Sequence, residues 1–136
     1  MKSICIDVDG VLAQYDGWKG IFHFGDPFPR AVEFTKKLSE KYRVVIFTCR
    51  CNYELNAKEY YESDEYSNRA DSLSEDEVIE ELKQLVAEYL LKHCFYYHEI
   101  YTGQGKPSAI AYIDDRAIQY ADAEGCDFDA ILNHLN

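Results

Sequence analysis

Apolar positions in this chain come in short blocks, and the stretches between them carry either turn residues or helical spacing. Ile4-Cys5-Ile6-Asp7-Val8 is apolar and β-branched and stops at Asp9-Gly10, the pattern of a short buried strand. Residues 13–29 hold Gly17, Gly20, Gly25, Pro27 and Pro29 among aromatics and read as a loop or small hairpin. Pro29 can open a helix, where a missing N–H costs little. Ala31, Phe34 and Leu38 continue it with Lys36, Lys37 and Glu40 toward water. Arg43-Val44-Val45-Ile46-Phe47-Thr48 is continuously apolar rather than alternating, as strands of a parallel sheet are. Ser74-Glu75-Asp76-Glu77 is a capping box. Val78, Leu82, Leu85, Val86, Tyr89 and Leu90 then recur at helical spacing to about Lys92. A short strand around 98–101, a turn at Gly103-Gln104-Gly105 and a buried strand over 109–113 follow, and Asp127 is placed to cap a last helix through Leu135. This alternation predicts an α/β fold: a doubly wound, mostly parallel sheet with helices on both faces. No repeat or boundary divides residues 1–136, which read as one domain.

Composition narrows the class. At 136 residues one ordinary core suffices. No apolar run approaches the roughly 20 residues of a membrane span. The start, Met1-Lys2-Ser3-Ile4, passes into a run too short and acidic for a signal peptide, so an intracellular, cytoplasmic protein is expected. The five cysteines (5, 49, 51, 94 and 126) form no zinc or disulfide framework, and Cys49-Arg50-Cys51 reads as packed, reduced thiols. The net charge of −11 argues against a general nucleic-acid binder. Most of it is local, because residues 52–81 hold eleven acidic and two basic side chains. The part from 52 to 73 reads as an acidic insertion, a solvated face whose four tyrosines (53, 60, 61 and 66) pack as a short helix or ride on a mobile loop.

The candidate chemistry lies at strand ends. Asp7 and Asp9 follow the first strand, Asp114 and Asp115 the last core strand; Thr48 ends the second, and Lys106 precedes the Asp114 strand. Ligands of open parallel sheets bind outside the carboxyl ends of the strands. Carboxylates gathered there repel one another and raise each other's pKa. A hard divalent cation resolves the repulsion, and oxygen-only ligands suit Mg²⁺ over Zn²⁺. A phosphate would then be the substrate, bound through the metal, Lys106 and the Thr48 hydroxyl. A lone Asp-x-Asp-Gly is ordinarily turn chemistry. The ordered set of apolar strand–Asp-x-Asp-Gly-Val, strand–Thr, Lys-Pro and strand–Asp-Asp is what carries the reading.

Ile6-Asp7-Val8-Asp9-Gly10-Val11-Leu12 resembles the first motif of haloacid dehalogenase superfamily phosphatases. Phe47-Thr48 resembles the second, Lys106-Pro107 the third and Tyr112-Ile113-Asp114-Asp115 the fourth. Residues 106–116 are similar to small bacterial and phage hydrolases of that superfamily. The resemblance implies that Asp7 is a nucleophile forming an aspartyl-phosphate and that Asp9 is the acid and then the base. It implies that Mg²⁺ is held by Asp7, the Asp9 carbonyl, Asp114 and Asp115, and that Thr48 and Lys106 bind phosphoryl oxygens. It makes residues 13–29 a flap over the active site. Trp18 and His23 in it can meet the substrate or fill the flap's own core. Ion pairing is the favoured role for Arg50 and Arg116, with a phosphate or substrate carboxylate as the alternative. His93, His98 and His134 are assigned nothing.

About 22 residues (52–73) are too few for a cap domain with its own core, so the type is capless and the site relatively open. The acidic insertion disfavours long polyanions. The expected activity is Mg²⁺-dependent hydrolysis of a small phosphorylated metabolite or nucleotide. A nucleic-acid 3′-end phosphatase is the alternative, and a non-catalytic phosphate- or protein-binding module the second.

Overall fold

The computed structural model of the protein describes residues 1–118 and 128–135. Its centre is strand β1 (Ser3–Ile6), whose Ile4, Cys5 and Ile6 are buried. Parallel neighbours flank it on both sides: β2 (Arg43–Ile46) on one and β4 (Ala111–Ile113) on the other, with β3 (Glu99–Ile100) outside β2. The order β3-β2-β1-β4 makes a small, all-parallel, four-stranded sheet in an α/β fold. After β1 the chain steps outward twice in one direction, then returns past β1 to add β4 on the other side. The strand order therefore reverses between β1 and β4.

The register decides where chemistry can gather. Ile6 is level with both Ile46 and Ile113, and Ile46 with Ile100. The ladder continues one residue further: the N–H groups of Asp7, Phe47 and Tyr101 donate to the carbonyls of Ile113, Ile6 and Ile46 at 2.8–3.0 Å. Asp7, Phe47, Tyr101 and Asp114 thus leave the sheet from one level of one edge, adjacent strands being about 4.8 Å apart.

Helix α1 (Ala31–Ser39) begins after Arg30, which has a left-handed backbone, so Pro29 lies in the preceding turn rather than in the first helical turn. Its inner face is Ala31, Thr35 and Leu38, and Phe34 points outward at 43% exposure, contrary to the sequence reading. Thr35 takes the inward place because its hydroxyl is fully satisfied, donating to the Val32 carbonyl and accepting from the Tyr96 N–H. The acidic insertion folds into α2 (Tyr53–Tyr61) and α3 (Asp64–Ser67). Ser74 and Glu77 cap α4 (Glu75–Lys92) in the expected reciprocal way. Helix α5 (Phe128–Leu135) has no buried residue, and Asp127, its expected cap, lies outside the described residues, as does Cys126.

Two hydrophobic clusters share α4. Val86, Tyr89 and Leu90 join Ile6, Val8, Val44, Ile46 and Ala31 in the main core. Val78 and Leu82, nearer the N-terminus of α4, join Leu73, Tyr60 and Ile21 in a second cluster rimmed by Tyr53, Tyr61 and Tyr66. The rings of Tyr60, Tyr61 and Tyr66 meet edge to face with centroids 4.8–6.3 Å apart. Most acids of the insertion face water, as expected, but Tyr60 is core, and Tyr53, Tyr61 and Tyr66 pack half-buried against it. They also hold the 13–29 loop, since Ile21 is their guest and its N–H donates to Glu59 of α2 at 2.7 Å. The loop is closed at its base by an antiparallel bridge between Ala13 and Pro27.

Ile21→Ala is expected to cost about 2–4 kcal/mol, the loss of a buried branched side chain plus the cavity it leaves. Denaturant unfolding measures the cost. Hydrogen exchange should quicken across residues 13–29 and not across α1.

Candidate active site

Four carboxylates leave two neighbouring strands, β1 and the edge strand β4, and the structure sorts them into two groups. Carboxylate oxygens of Asp7, Asp114 and Asp115 lie within 4.8 Å of one another. Asp9 turns the other way and meets Arg50.

The first group is built by the register. Asp7 and Asp114 leave neighbouring strands at one level, and the Val8 N–H fixes one Asp7 oxygen at 2.7 Å. The Asp114 carboxylate accepts from the Arg116 N–H at 2.7 Å, which turns the chain so that Asp115 also faces the edge. Asp115 lies over Gly10, where a Cβ would stand 2.1 Å from its oxygen. Gly10 also has φ +80°, which favours glycine there, and a side chain at this position would push the Asp115 carboxylate aside. The first and last motifs therefore fit together through an absent side chain.

Burial, and then the charges of Asp114, Asp9 and Asp115, push the Asp7 carboxyl up to about 6 against the opposing Val8 hydrogen bond. This is the strain a cation relieves. Opposite ligands of an octahedral Mg²⁺ are about 4.2 Å apart, so oxygens within 4.8 Å of one another need to close by no more than about half an ångström to share one ion. The donor set is all oxygen, and it fits.

The second group is a buried ion pair. Arg50 Nε and Nη2 donate to the two Asp9 oxygens at 2.6 and 2.9 Å, with the Arg50 side chain 4% exposed. The same guanidinium donates to the carbonyls of His23 and Ile21 at 2.8 and 3.4 Å. It lies 3.8 Å over the Phe24 ring and 4.8 Å over Trp18. Phe24 stacks in turn on Tyr89 at 4.6 Å, and the Tyr89 hydroxyl donates to the Gly25 carbonyl. Ion pairing was the favoured sequence reading for Arg50. Its reach across the whole 13–29 loop was not legible, because no spacing rule links Arg50 to carbonyls 27 and 29 positions away.

The Thr48 hydroxyl, almost buried, accepts from the Arg50 N–H at 3.2 Å and caps the short 3₁₀ turn Cys49–Cys51. Its own O–H remains available to donate. A cavity of about 500 Å³ is bordered by Asp7, Asp9, Thr48, Asp114 and Asp115 together. The chain matches no family model, no curated protein and no solved structure. Its site is therefore read from its own geometry.

Lys106 is the expected member that the structure does not bring in. Its ammonium lies 4.1 Å over the Tyr112 ring and within ion-pair distance of no described carboxylate. It borders a smaller cavity of about 150 Å³, which Asp7 and Asp114 also line. Tyr15, Phe47 and Tyr101 line the larger cavity and were not singled out. The signal for Phe47 and Tyr101 was present, since each stands one residue past a strand end, as Asp7 does. His23 offers the site a backbone carbonyl.

With its pKa raised, Asp7 favours the protonated form in the fold, so stability is lost as pH rises from about 4 through about 6. Asp7→Asn should match the parent below pH 4 and exceed it at pH 7.5 by about 1–2 kcal/mol without divalent cations, after discounting for partial exposure. Thermal unfolding at the two pH values measures this, and Mg²⁺ should raise the melting temperature of the parent alone. For the buried pair, Arg50→Met is expected to cost about 3–5 kcal/mol by stranding Asp9, and adding Asp9→Asn should recover part of it. A double-mutant cycle reads the coupling.

Proposed function

We propose that the protein is a Mg²⁺-dependent phosphomonoester hydrolase of the haloacid dehalogenase type, acting on small phosphorylated molecules through an aspartyl-phosphate on Asp7. The observation that carries this reading is the joining of Asp7, Asp114 and Asp115 at one sheet edge, on the side of β1 where the strand order reverses. A doubly wound, Rossmann-like arrangement is the fold we propose for the whole, because the crevice at such a reversal is where open α/β sheets bind ligands.

In the proposed reaction an Asp7 oxygen attacks phosphorus, held in line by the Val8 N–H on its other oxygen. The ester P–O bond breaks, and the leaving oxygen takes a proton from Asp9, which acquires it from solvent water as Arg50 yields one of its oxygens. Water then attacks the phosphorus of the aspartyl-phosphate, returns a proton to Asp9, and frees Asp7 and inorganic phosphate. A carboxylate has about four lone-pair sites, and the bidentate contact with Arg50 uses two of them. Arg50 thus aims Asp9 while leaving its outer lone pairs to the substrate side, and proton delivery begins with Arg50 yielding one oxygen. The Thr48 O–H binds a phosphoryl oxygen. Lys106 joins by swinging its long side chain off Tyr112 toward Asp7, whose cavity it already borders. Asp7, Asp114 and Asp115, with the Asp9 carbonyl, would hold Mg²⁺, which when bound offsets negative charge on phosphate and nucleophile.

The exposed acids of α2 and α3 weigh against the nucleic-acid alternative, because a strand end would bring further phosphates toward Glu62, Asp64 and Glu65.

Purified protein with Mg²⁺ should hydrolyse an aryl phosphate. Chelator or Asp7→Asn should abolish turnover by at least a thousandfold, and Asp9→Asn should slow it by about 10²–10⁴. Retention of activity in Asp7→Asn would remove the proposed nucleophile.

A further inference from the structure

Beyond the carboxylates, the larger cavity has walls that phosphate chemistry alone does not call for. Tyr15 and Trp18 from the 13–29 loop, Phe47 beyond β2 and Tyr101 beyond β3 all line it. Of the other aromatic residues in this loop, Phe24 stacks on Tyr89, and Phe22 and Phe28, at 43% and 37% exposure, do not line this cavity. Trp18 and Phe47 instead stand 46% and 37% exposed beside the acids. We propose that these rings form a stacking platform for a planar heterocycle, and that the substrate of the site is a nucleoside monophosphate. The inference rests on the phosphomonoester reading and names the leaving group.

Each ring is held in place from behind. The Arg50 guanidinium supports Trp18 at 4.8 Å, so the indole is braced by the same group that holds Asp9. Phe47 stands nearly perpendicular to Tyr101, centroids 5.7 Å apart and planes at 79°. Tyr101 is pinned by its hydroxyl donating to the Gln104 carbonyl at 2.8 Å. Tyr15 sits beside the Arg116 guanidinium at 5.4 Å. Preorganised rings of this kind stack any base, because every base presents a π-face.

The rest of the lining favours a base over a plain aryl ring. Asn52, Thr102 and Arg116 border the same space and offer amide, hydroxyl and guanidinium groups. Asn52 spends only its oxygen on capping α2, which leaves its NH₂ donors for a ring carbonyl or nitrogen. At about 500 Å³ the cavity is of the size that takes a single small ligand. A polynucleotide is disfavoured by an acidic groove on the same chain, lined by Phe22, Glu59, Glu62, Asp64 and Glu65.

Trp18 is the single tryptophan of the chain, so its fluorescence reports directly on the platform. The test titrates full-length Asp7→Asn protein with Mg²⁺ and adenosine 5′-monophosphate, uridine 5′-monophosphate or ribose 5-phosphate. Both nucleotides are expected to quench Trp18 saturably and to bind at least tenfold tighter than ribose 5-phosphate, whose affinity is read by displacement of nucleotide. Phe47→Leu should weaken the nucleotides at least threefold more than the sugar phosphate. Equal affinity for ribose 5-phosphate, absence of quenching, or a 3′-phosphorylated oligonucleotide bound tenfold better than either nucleotide would each overturn the proposal. The hydrolase reading fails separately, if wild-type protein leaves an aryl phosphate intact while nucleotide still quenches Trp18.

Discussion

The buried pair of Arg50 and Asp9 is the constraint around which the site is arranged. A guanidinium with almost no exposure cannot be left with unmet donors, and here Asp9 and two carbonyls of the 13–29 loop meet four of the five. The pair does not owe its place to stability, since buried ion pairs often contribute little net energy. What it supplies is position. One side chain, from the turn after β2, settles where the β1 end points and where the loop comes to rest.

A second constraint acts through the sheet. Parallel pairing sets Asp7 and Asp114 side by side whatever the intervening hundred or so residues do, because register is decided by the apolar residues before them. The resulting repulsion is left standing in the protein alone, and it adds to burial, the larger cause, in raising the Asp7 pKa. The site is thus destabilised by the feature that fits it for a cation, as functional sites commonly are.

Much of this was legible in the sequence. Continuous apolar runs foretold parallel strands, and the carboxylates at their ends foretold the cluster of Asp7, Asp114 and Asp115. Ser74 and Glu77 announced the start of α4. What escaped was tertiary. Phe34 looked like a core residue by spacing, yet Thr35 won the inward place because two backbone partners awaited its hydroxyl. The tyrosines at 53, 60, 61 and 66 were masked by the acids between them, and only the arrival of Ile21 from a distant loop shows Tyr60 to be core and the other three to pack against the same cluster. Lys106 was placed by motif order, but its resting contact with Tyr112 depends on an aromatic neighbour six positions on.

The order of strands in the sheet has a consequence for how the protein comes into being. β4 follows β1 in the chain by more than a hundred residues, so it leaves the ribosome well after it, and the two are neighbours. During synthesis β1, β2 and β3 can pair and α1 and α4 can cover them while one edge of β1 still waits for its partner. Contacts of such long sequence separation are slow to form. The carboxylate trio is consequently among the final features to assemble, and a chain truncated before residue 114 would carry Asp7 with no companions to hold an ion beside it.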